Sequence, residues 1–412
     1  MRKQILGISL LTAFVISSIG CGQSLVLDQS NFSGGDEIFS FASETETPVI
    51  EKKQDTTTLS SLETFINNSY RMVFEEYDKN KSGSIEANEL PEAPNSFKQI
   101  DKDKNNRLTL AEVMPPIERM RQITEWGTSF FKELQKELDT DKDGLISKYE
   151  ITSSEALESL SDSEYWERVE RTVISKNTNF KGFSPSQFTN LVTNFLNSEQ
   201  RKNMNMKVTP RVTRSNDIRP VILVQGYAEP SWYFMYGIYH NLKKNGWDAI
   251  YPVNLFPTIT DIKEQAKIVA KKIEQAKKEQ GVSRVDYIAH SMGGLIGRYY
   301  TQNLKGANNI EHLISISTPH YGTYVAWAGI GEAAKQMRPG SDFLNQLNNN
   351  PLLGSIKYTS IWTKTDEIVI PAENAILRGS NVLPAIENSA HMSILWMPET
   401  YRQIKTSLFD SF

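Results

Sequence analysis

The spacing of apolar positions changes character several times along the chain. Residues 5–19 form a largely apolar run behind Arg2 and Lys3. Residues 22–60 are rich in Ser, Thr, Gly, Glu and Asp, keep no helical or strand period, and read as a tether. From about residue 59, Leu62, Phe65, Ile66, Met72, Val73, Phe74 and Tyr77 recur at helical spacing. Helical patterns continue to about residue 196, broken by short acidic loops. A polar, basic stretch, residues 198–217, reads as a linker without the apolar period that would couple its two sides rigidly. From residue 218 onward β-branched runs alternate with amphipathic helices, the pattern of a mostly parallel sheet flanked by helices. The expected organisation is a cleaved leader over 1–20, a tether over 21–60, an all-α module over 61–196, a linker over 197–217 and an α/β domain over 218–412.

Three acidic loops follow one grammar, D-x-[DN]-x-[DNS]-G-x5-E, in which alternate oxygen ligands wrap a hard cation and a Glu at the twelfth position closes the shell with both oxygens. In residues 78–89 the ligands are Asp78, Asn80, Ser82, the Ser84 carbonyl, Glu86 directly or through water, and Glu89, with Gly83 at the turn and Ile85 at the bridge position. Residues 101–112 offer Asp101, Asp103, Asn105, the Arg107 carbonyl, Thr109 and Glu112, but Asn106 replaces the turn Gly. Asn tolerates the left-handed conformation better than most residues, so this loop is weakened and still competent. Residues 139–150 offer Asp139, Asp141, Asp143, the Leu145 carbonyl, Ser147 and Glu150, with Gly144 at the turn and Ile146 at the bridge. Such loops work in pairs. The first two pair with each other; residues 177–188, which keep Gly182, end in Phe188 and lack an acidic ligand, are the expected metal-free partner of the third. Residues 60–195 resemble the EF-hand family, and the implied cofactor is Ca2+ at about three sites.

Residues 285–297, VDYIAHSMGGLIG, place Ser291 between a β-branched and aromatic run and a helical pattern, with small residues around it as a tight turn requires. This is the context of a nucleophile elbow. Residues 358–366 end a strand at Asp366, the expected partner of a catalytic imidazole; Glu367 is the neighbouring competitor, and Asp342 has no strand before it. Of the five histidines, His240, His290, His312 and His320 precede Asp366, and only His391 follows it, so the chain order Ser–Asp–His selects His391. The backbone amides of Met292 and of Tyr227, in the VQGYAEP loop, are the expected oxyanion donors. Gln225 stands where His is common before that Gly, which leaves the loop's hydrogen bonding open.

Three blocks, VQGY, AHSMGG and YTSIWTKTDEIV with His391 downstream, make residues 218–412 resemble bacterial lipases of the α/β-hydrolase superfamily. The resemblance implies hydrolysis of carboxylic esters, as in a triacylglycerol lipase or carboxylesterase, through an acyl-enzyme. The same triad serves acyltransferases and phospholipases, and an inactive hydrolase domain would leave a calcium-binding surface module; both alternatives stay open. The TPHYGT segment resembles larger bacterial lipases, so residues 321–353, with Trp327, Met337, Phe343 and Leu347, are expected to form either a small lid or extra scaffold helices.

The apolar run near the start is short for a membrane span and ends in Ser18, Ile19, Gly20 and Cys21. This resembles a bacterial lipobox with Ser18 in place of the usual Leu, and implies lipidation of Cys21, an extracytoplasmic location and a membrane anchor; Gly22 after the Cys favours the outer membrane where the cell has one. Cys21 is the sole cysteine of the 412 residues, which excludes an intrachain disulfide. A net charge of −4 gives no bulk reason to expect nucleic acid as a partner; the expected partners are an ester or lipid substrate and the membrane.

Overall fold

A computed structural model describes residues 56–114, 117–204 and 218–409. The leader, Cys21, residues 22–55 of the tether and residues 205–217 of the linker lie outside the described residues, whereas residues 56–60, read from composition as tether, form the start of the first helix.

The chain from Asp55 to Phe412 forms one compact unit. Its first part is helical. The helix Thr56–Tyr77 packs along the helices Ile117–Leu138 and Pro185–Met204, burying Leu62, Phe65 and Ile66 with Phe188, Val192 and Phe195. The last of these helices runs through residues 197–204, which the polar composition assigns to a linker. Contacts made by the first turn of this stretch explain the difference: Asn197 and Gln200 are buried, Gln200 donates to Ser69 Oγ at 2.5 Å, and Glu199 Oε2 accepts from Tyr236 Oη at 2.8 Å.

Strands β1 (Ile85–Glu86) and β2 (Arg107–Leu108) pair antiparallel, joining the first two acidic loops through Ile85 and Leu108. The third loop bridges Ile146 to Phe183 by two hydrogen bonds of 2.9 Å. That bridge shifts the register of the degenerate loop by one residue. Phe183 stands opposite Ile146, and Gln187, not Phe188, takes the closing position: Ser184 N donates to Gln187 Oε1 as Ser147 N does to Glu150 Oε2. Gly182 is there for close approach, since a Cβ would lie 2.8 Å from that of Leu145.

The second part is a six-stranded parallel sheet of order β4-β3-β5-β6-β7-β8, with β3 Val221–Val224, β4 Ile250–Val253, β5 Val285–His290, β6 Ile310–Ile316, β7 Lys357–Ile361 and β8 Asn381–Val382. All residues of β3 and β5 are buried, as expected of strands covered on both faces. Between the strands run helices such as Ile262–Gln280, which starts where Asp261 accepts from Lys263 N at 2.8 Å and stops at Gly281 with φ 67°.

The expectation of two loosely coupled halves is not met. One hydrophobic cluster holds Leu62, Phe65 and Phe195 together with Trp232, Tyr233, Phe234 and Tyr236. A second holds Phe74, Leu90 and Phe97 with Leu255, Phe256 and Ile262. Tyr77, next to the first acidic loop, stacks on Phe256 and donates to Asn254 O at 2.8 Å. Buried Glu264 accepts from Asn95 N and Ser96 N, at 3.0 and 2.8 Å, and so caps the helix Pro94–Ile100 from the other half.

Candidate active site

The candidate catalytic residues that the sequence singles out follow the C-terminal ends of the parallel strands. β5 ends at His290, and Ser291 turns sharply with φ 51° and ψ −125° into the helix Met292–Asn303. A positive φ is costly for a residue with a Cβ and holds only where the surroundings impose it. Here Ser291 N donates to Ile316 O at 2.8 Å. At Gly293 a Cβ would sit 2.7 Å from Gln225 O, so the helix can approach β3 this closely only without a side chain. Met292 opens the helix, where an amide has no carbonyl partner within the helix and points with the positive end of the dipole.

Asp366 and His391 meet. His391 Nδ1 lies 2.9 and 3.0 Å from the two Asp366 oxygens, and both residues are buried. Asp366 Oδ1 also accepts from Ile368 N and Val369 N at 3.0 and 2.7 Å. Burial pushes Asp366 up, but the His391 charge and these hydrogen bonds outweigh it and hold the carboxyl below its ordinary range. Burial pushes His391 down, and Asp366, Glu367 and Glu229 together carry it above its ordinary value. Glu367 grips the main chain of His391 instead of its ring, since its Oε2 accepts from His391 N at 3.0 Å. Its own carboxyl is raised, chiefly by burial.

His320, His312 and His240 make contacts of their own. His320 donates from Nε2 to Ser315 Oγ at 3.0 Å, because the Ser315 hydroxyl hydrogen goes to Thr359 O. Burial and the Arg298 charge hold His320 well below the ordinary range, so it is neutral. His312 pairs with Asp286 at 2.7 Å near the opposite ends of the strands. His240 lies on the helix Tyr236–Lys244, and burial lowers it.

Two residues that the spacing does not single out join the site. Glu229 Oε1 lies 2.5 Å from His290 Nδ1, and His290 Nε2 donates to His391 O at 3.0 Å. The signal for Glu229 is only spatial; in the sequence it is one more polar loop residue. The loop holding Tyr227 is closed by Gln225, whose Nε2 donates to Glu229 O at 2.6 Å, and Ala228 takes φ 59°. At Gly226 a Cβ would meet the Glu229 carboxylate and lie 2.8 Å from Ser291 Cβ, which places this loop against the elbow.

The insertion divides. Met337, Phe343 and Leu347 are buried, so the helices Gly331–Gln336 and Asp342–Asn349 are scaffold. Tyr324, Trp327 and Ile330 are exposed, with the Arg338 guanidinium 4.6 Å from the Trp327 ring centre. Tyr227 Oη donates to Ile330 O at 2.8 Å and accepts from Ile330 N at 3.0 Å, tying this exposed segment to the loop beside Ser291.

The acidic loops share one backbone form. Lys81, Lys104 and Lys142 take φ near 60°; Gly83, Asn106 and Gly144 take 82°, 61° and 82°. The Asn thus adopts the left-handed turn that Gly makes in the other two. Each closing Glu accepts main-chain N–H groups from both ends of its loop: Glu89 from Lys79 and Glu86, Glu112 from Lys102 and Thr109, Glu150 from Thr140 and Ser147. Oxygens of Asp101, Asp103 and Glu112, and of Asp139, Asp141 and Asp143, lie within 4.8 Å of one another. Asp139 Oδ1 is buried and has no hydrogen-bond partner.

Residues 256–388 match the palmitoyl protein thioesterase family, a span that includes Ser291 and Asp366, and residues 71–90 match the EF hand. Among solved structures the chain is similar to the mature Bacillus licheniformis lipase BlEst2, at 19% identity over 47% of this chain and 93% of that one, TM-score 0.42. It is also similar to Aspergillus fumigatus lipase B, at 15% identity over 66% and 83%, TM-score 0.41. A third is Est1E from Butyrivibrio proteoclasticus, at 16% identity over 48% and 91%, TM-score 0.35. With its parallel sheet, its flanking helices and a sharp turn at Ser291 after β5, the chain is a helical region that carries an EF-hand match, followed by an α/β domain of which residues 256–388 match the palmitoyl protein thioesterase family.

Proposed function

We propose that the α/β domain is a serine hydrolase of carboxylic esters acting through Ser291, Asp366 and His391. The observations that support this reading are the buried Asp366–His391 pair, a serine held at positive φ at the end of β5, and the ring of His290, the residue before that serine, 4.7 Å from the His391 ring. His391 Nε2 takes the Ser291 Oγ proton as the oxygen bonds to the ester carbonyl carbon, and the carbonyl electron pair moves onto its oxygen. The amides of Tyr227 and Met292 stabilise that oxyanion. His391 then gives its proton to the leaving alcohol as the C–O bond breaks. Water repeats the sequence, giving its proton to His391, and the carboxylic acid leaves as Ser291 recovers a proton. Asp366 orients the imidazole and stabilises its charged form.

A second reading, thioester hydrolysis, is favoured by the match of residues 256–388 to palmitoyl protein thioesterase. The steps are the same with a thiol as leaving group, and parallel turnover of matched acyl esters and thioesters separates the two. Phospholipase and acyltransferase activities rest on the same residues and are tested by phospholipid substrates and added alcohol acceptors.

We further propose that the acidic loops hold calcium. The oxygen donor sets and the orphaned, buried Asp139 Oδ1 support it. Asp78, Asn80, Ser82, Glu86 and Glu89 would hold one ion, Asp101, Asp103, Asn105, Thr109 and Glu112 a second, and Asp139, Asp141, Asp143, Ser147 and Glu150 a third. The Ser84, Arg107 and Leu145 carbonyls would complete the three shells. Calcium there supplies fixed positive charge that ties the loops, and its role is mainly structural. The leader and Cys21 support a lipid-anchored, extracytoplasmic protein, tested by metabolic labelling with a fatty-acid analogue and its loss in Cys21→Ala.

A further inference from the structure

A second carboxylate–imidazole pair, Glu229–His290, stands beside the first. His290 is fully buried and Glu229 nearly so, and the His290 and His391 rings lie 4.7 Å apart. His290 Nε2 faces the His391 carbonyl, which can only accept, so this nitrogen carries a hydrogen. Nδ1 lies 2.5 Å from Glu229 Oε1. A bare ring nitrogen and a bare carboxylate oxygen would repel at that distance, so a further proton lies between them. The second Glu229 oxygen is buried without a partner. A lone buried carboxylate oxygen is costly, and the shared proton removes the net charge that would make it more so.

The pair joins three pieces of chain. Glu229 belongs to the loop with the Tyr227 amide, and Gln225 ties its carbonyl back to the end of β3. His290 is the residue before Ser291. His391 is the base, its main chain gripped from Glu367 at N–H and from His290 at C=O. Resting on the hydrolase reading above, we propose that Glu229 and His290 are positioning residues that set the oxyanion loop, the nucleophile and the base at reacting distances from one another.

The test compares Glu229→Ala with Glu229→Gln on a soluble nitrophenyl ester, with thermal unfolding measured alongside. Glu229→Ala lets the loop and the base drift, and a misplacement of about 1 Å costs up to about 10²-fold in rate. The expected result is a kcat lower by roughly 10- to 100-fold with KM little changed, because the buried pair acts through the residues it positions and not by touching substrate. Glu229→Gln turns its amide to donate to Nδ1 while Nε2–H still donates to the His391 carbonyl, so it recovers most of the loss. Wild-type kcat in Glu229→Ala overturns the proposal. So does a Glu229→Gln enzyme that melts like wild type and is as slow as Glu229→Ala. If Glu229→Ala does not fold, Glu229→Asp replaces it, keeping the charge and losing the reach, and wild-type kcat there overturns the proposal equally. Failure of the hydrolase reading is seen separately, as wild-type turnover by Ser291→Ala.

Discussion

At the residue scale the base is the most informative group. In the proposed mechanism His391 acts only when neutral, and its neighbours carry it above the ordinary histidine value of about 6.5. Turnover therefore rises with pH through a midpoint above about 6.5. Glu367→Gln removes one of the charges that raise it, and the acid limb of kcat/KM is expected to move to lower pH; an unmoved limb in a folded variant contradicts this. Stability has its own signs. The raised His391 contributes stability that is fully present below about pH 6.5 and lost as pH rises through its folded value. The lowered Asp366 contributes stability present above about pH 3.9 and lost as pH falls through its folded value. Asp366→Asn is expected to reduce kcat by up to about 10⁴-fold, the loss seen when a triad carboxylate is replaced in serine proteases; steady-state kinetics checks it. Chain order in the sequence separates His391 from His320, and Asp366 from Glu367 only by position. The distinct role of Glu367, and any role for Glu229 and His290, depend on contacts between residues far apart in the chain, which no spacing records.

At the element scale, the strand–turn–helix around Ser291 and the three acidic loops are legible because each is local. A buried parallel strand must be apolar, a tight turn must be small, and a cation shell needs oxygens at alternate positions. The degenerate fourth loop is legible to within one residue. Its Gly182 suggests the turn position, but its role is to let Leu145 approach, and only the Ile146–Phe183 bridge fixes the register. The loops are expected to differ in affinity, because charge count tunes it. The third offers four carboxylates, Asp139, Asp141, Asp143 and Glu150, and an oxygen without a partner. Calorimetry on Glu150→Gln is expected to remove the tightest calcium phase; an intact tightest phase contradicts the ranking.

At the scale of the whole molecule the sequence misleads. Residues 197–204 look like linker and are helix, and Trp232, Tyr233, Phe234 and Tyr236 of the second part share a core with Leu62, Phe65 and Phe195 of the first. Surfaces that meet across a chain carry no period of their own, so the docking of the helical part on the hydrolase part could not be read. A chain beginning at Asn216 would expose Trp232, Tyr233, Phe234 and Tyr236, and it is expected to aggregate or lose activity rather than retain it. Calcium bound only by the folded chain stabilises it by about 2.7 kcal/mol per independent site at a hundred times the dissociation constant. Because the two parts share their cores, chelator is expected to lower the melting temperature of both together, read by calorimetry as one shifted transition; a hydrolase transition that ignores chelator contradicts this. The central claim is that Ser291 is the nucleophile of an acyl-transfer site. It is tested most directly by treating the intact protein with a fluorophosphonate and locating the adduct by peptide mass spectrometry. The expected result is one adduct on Ser291, absent in Ser291→Ala and strongly slowed in His391→Ala. No adduct on folded protein, or an adduct on another residue that persists in Ser291→Ala, would contradict it.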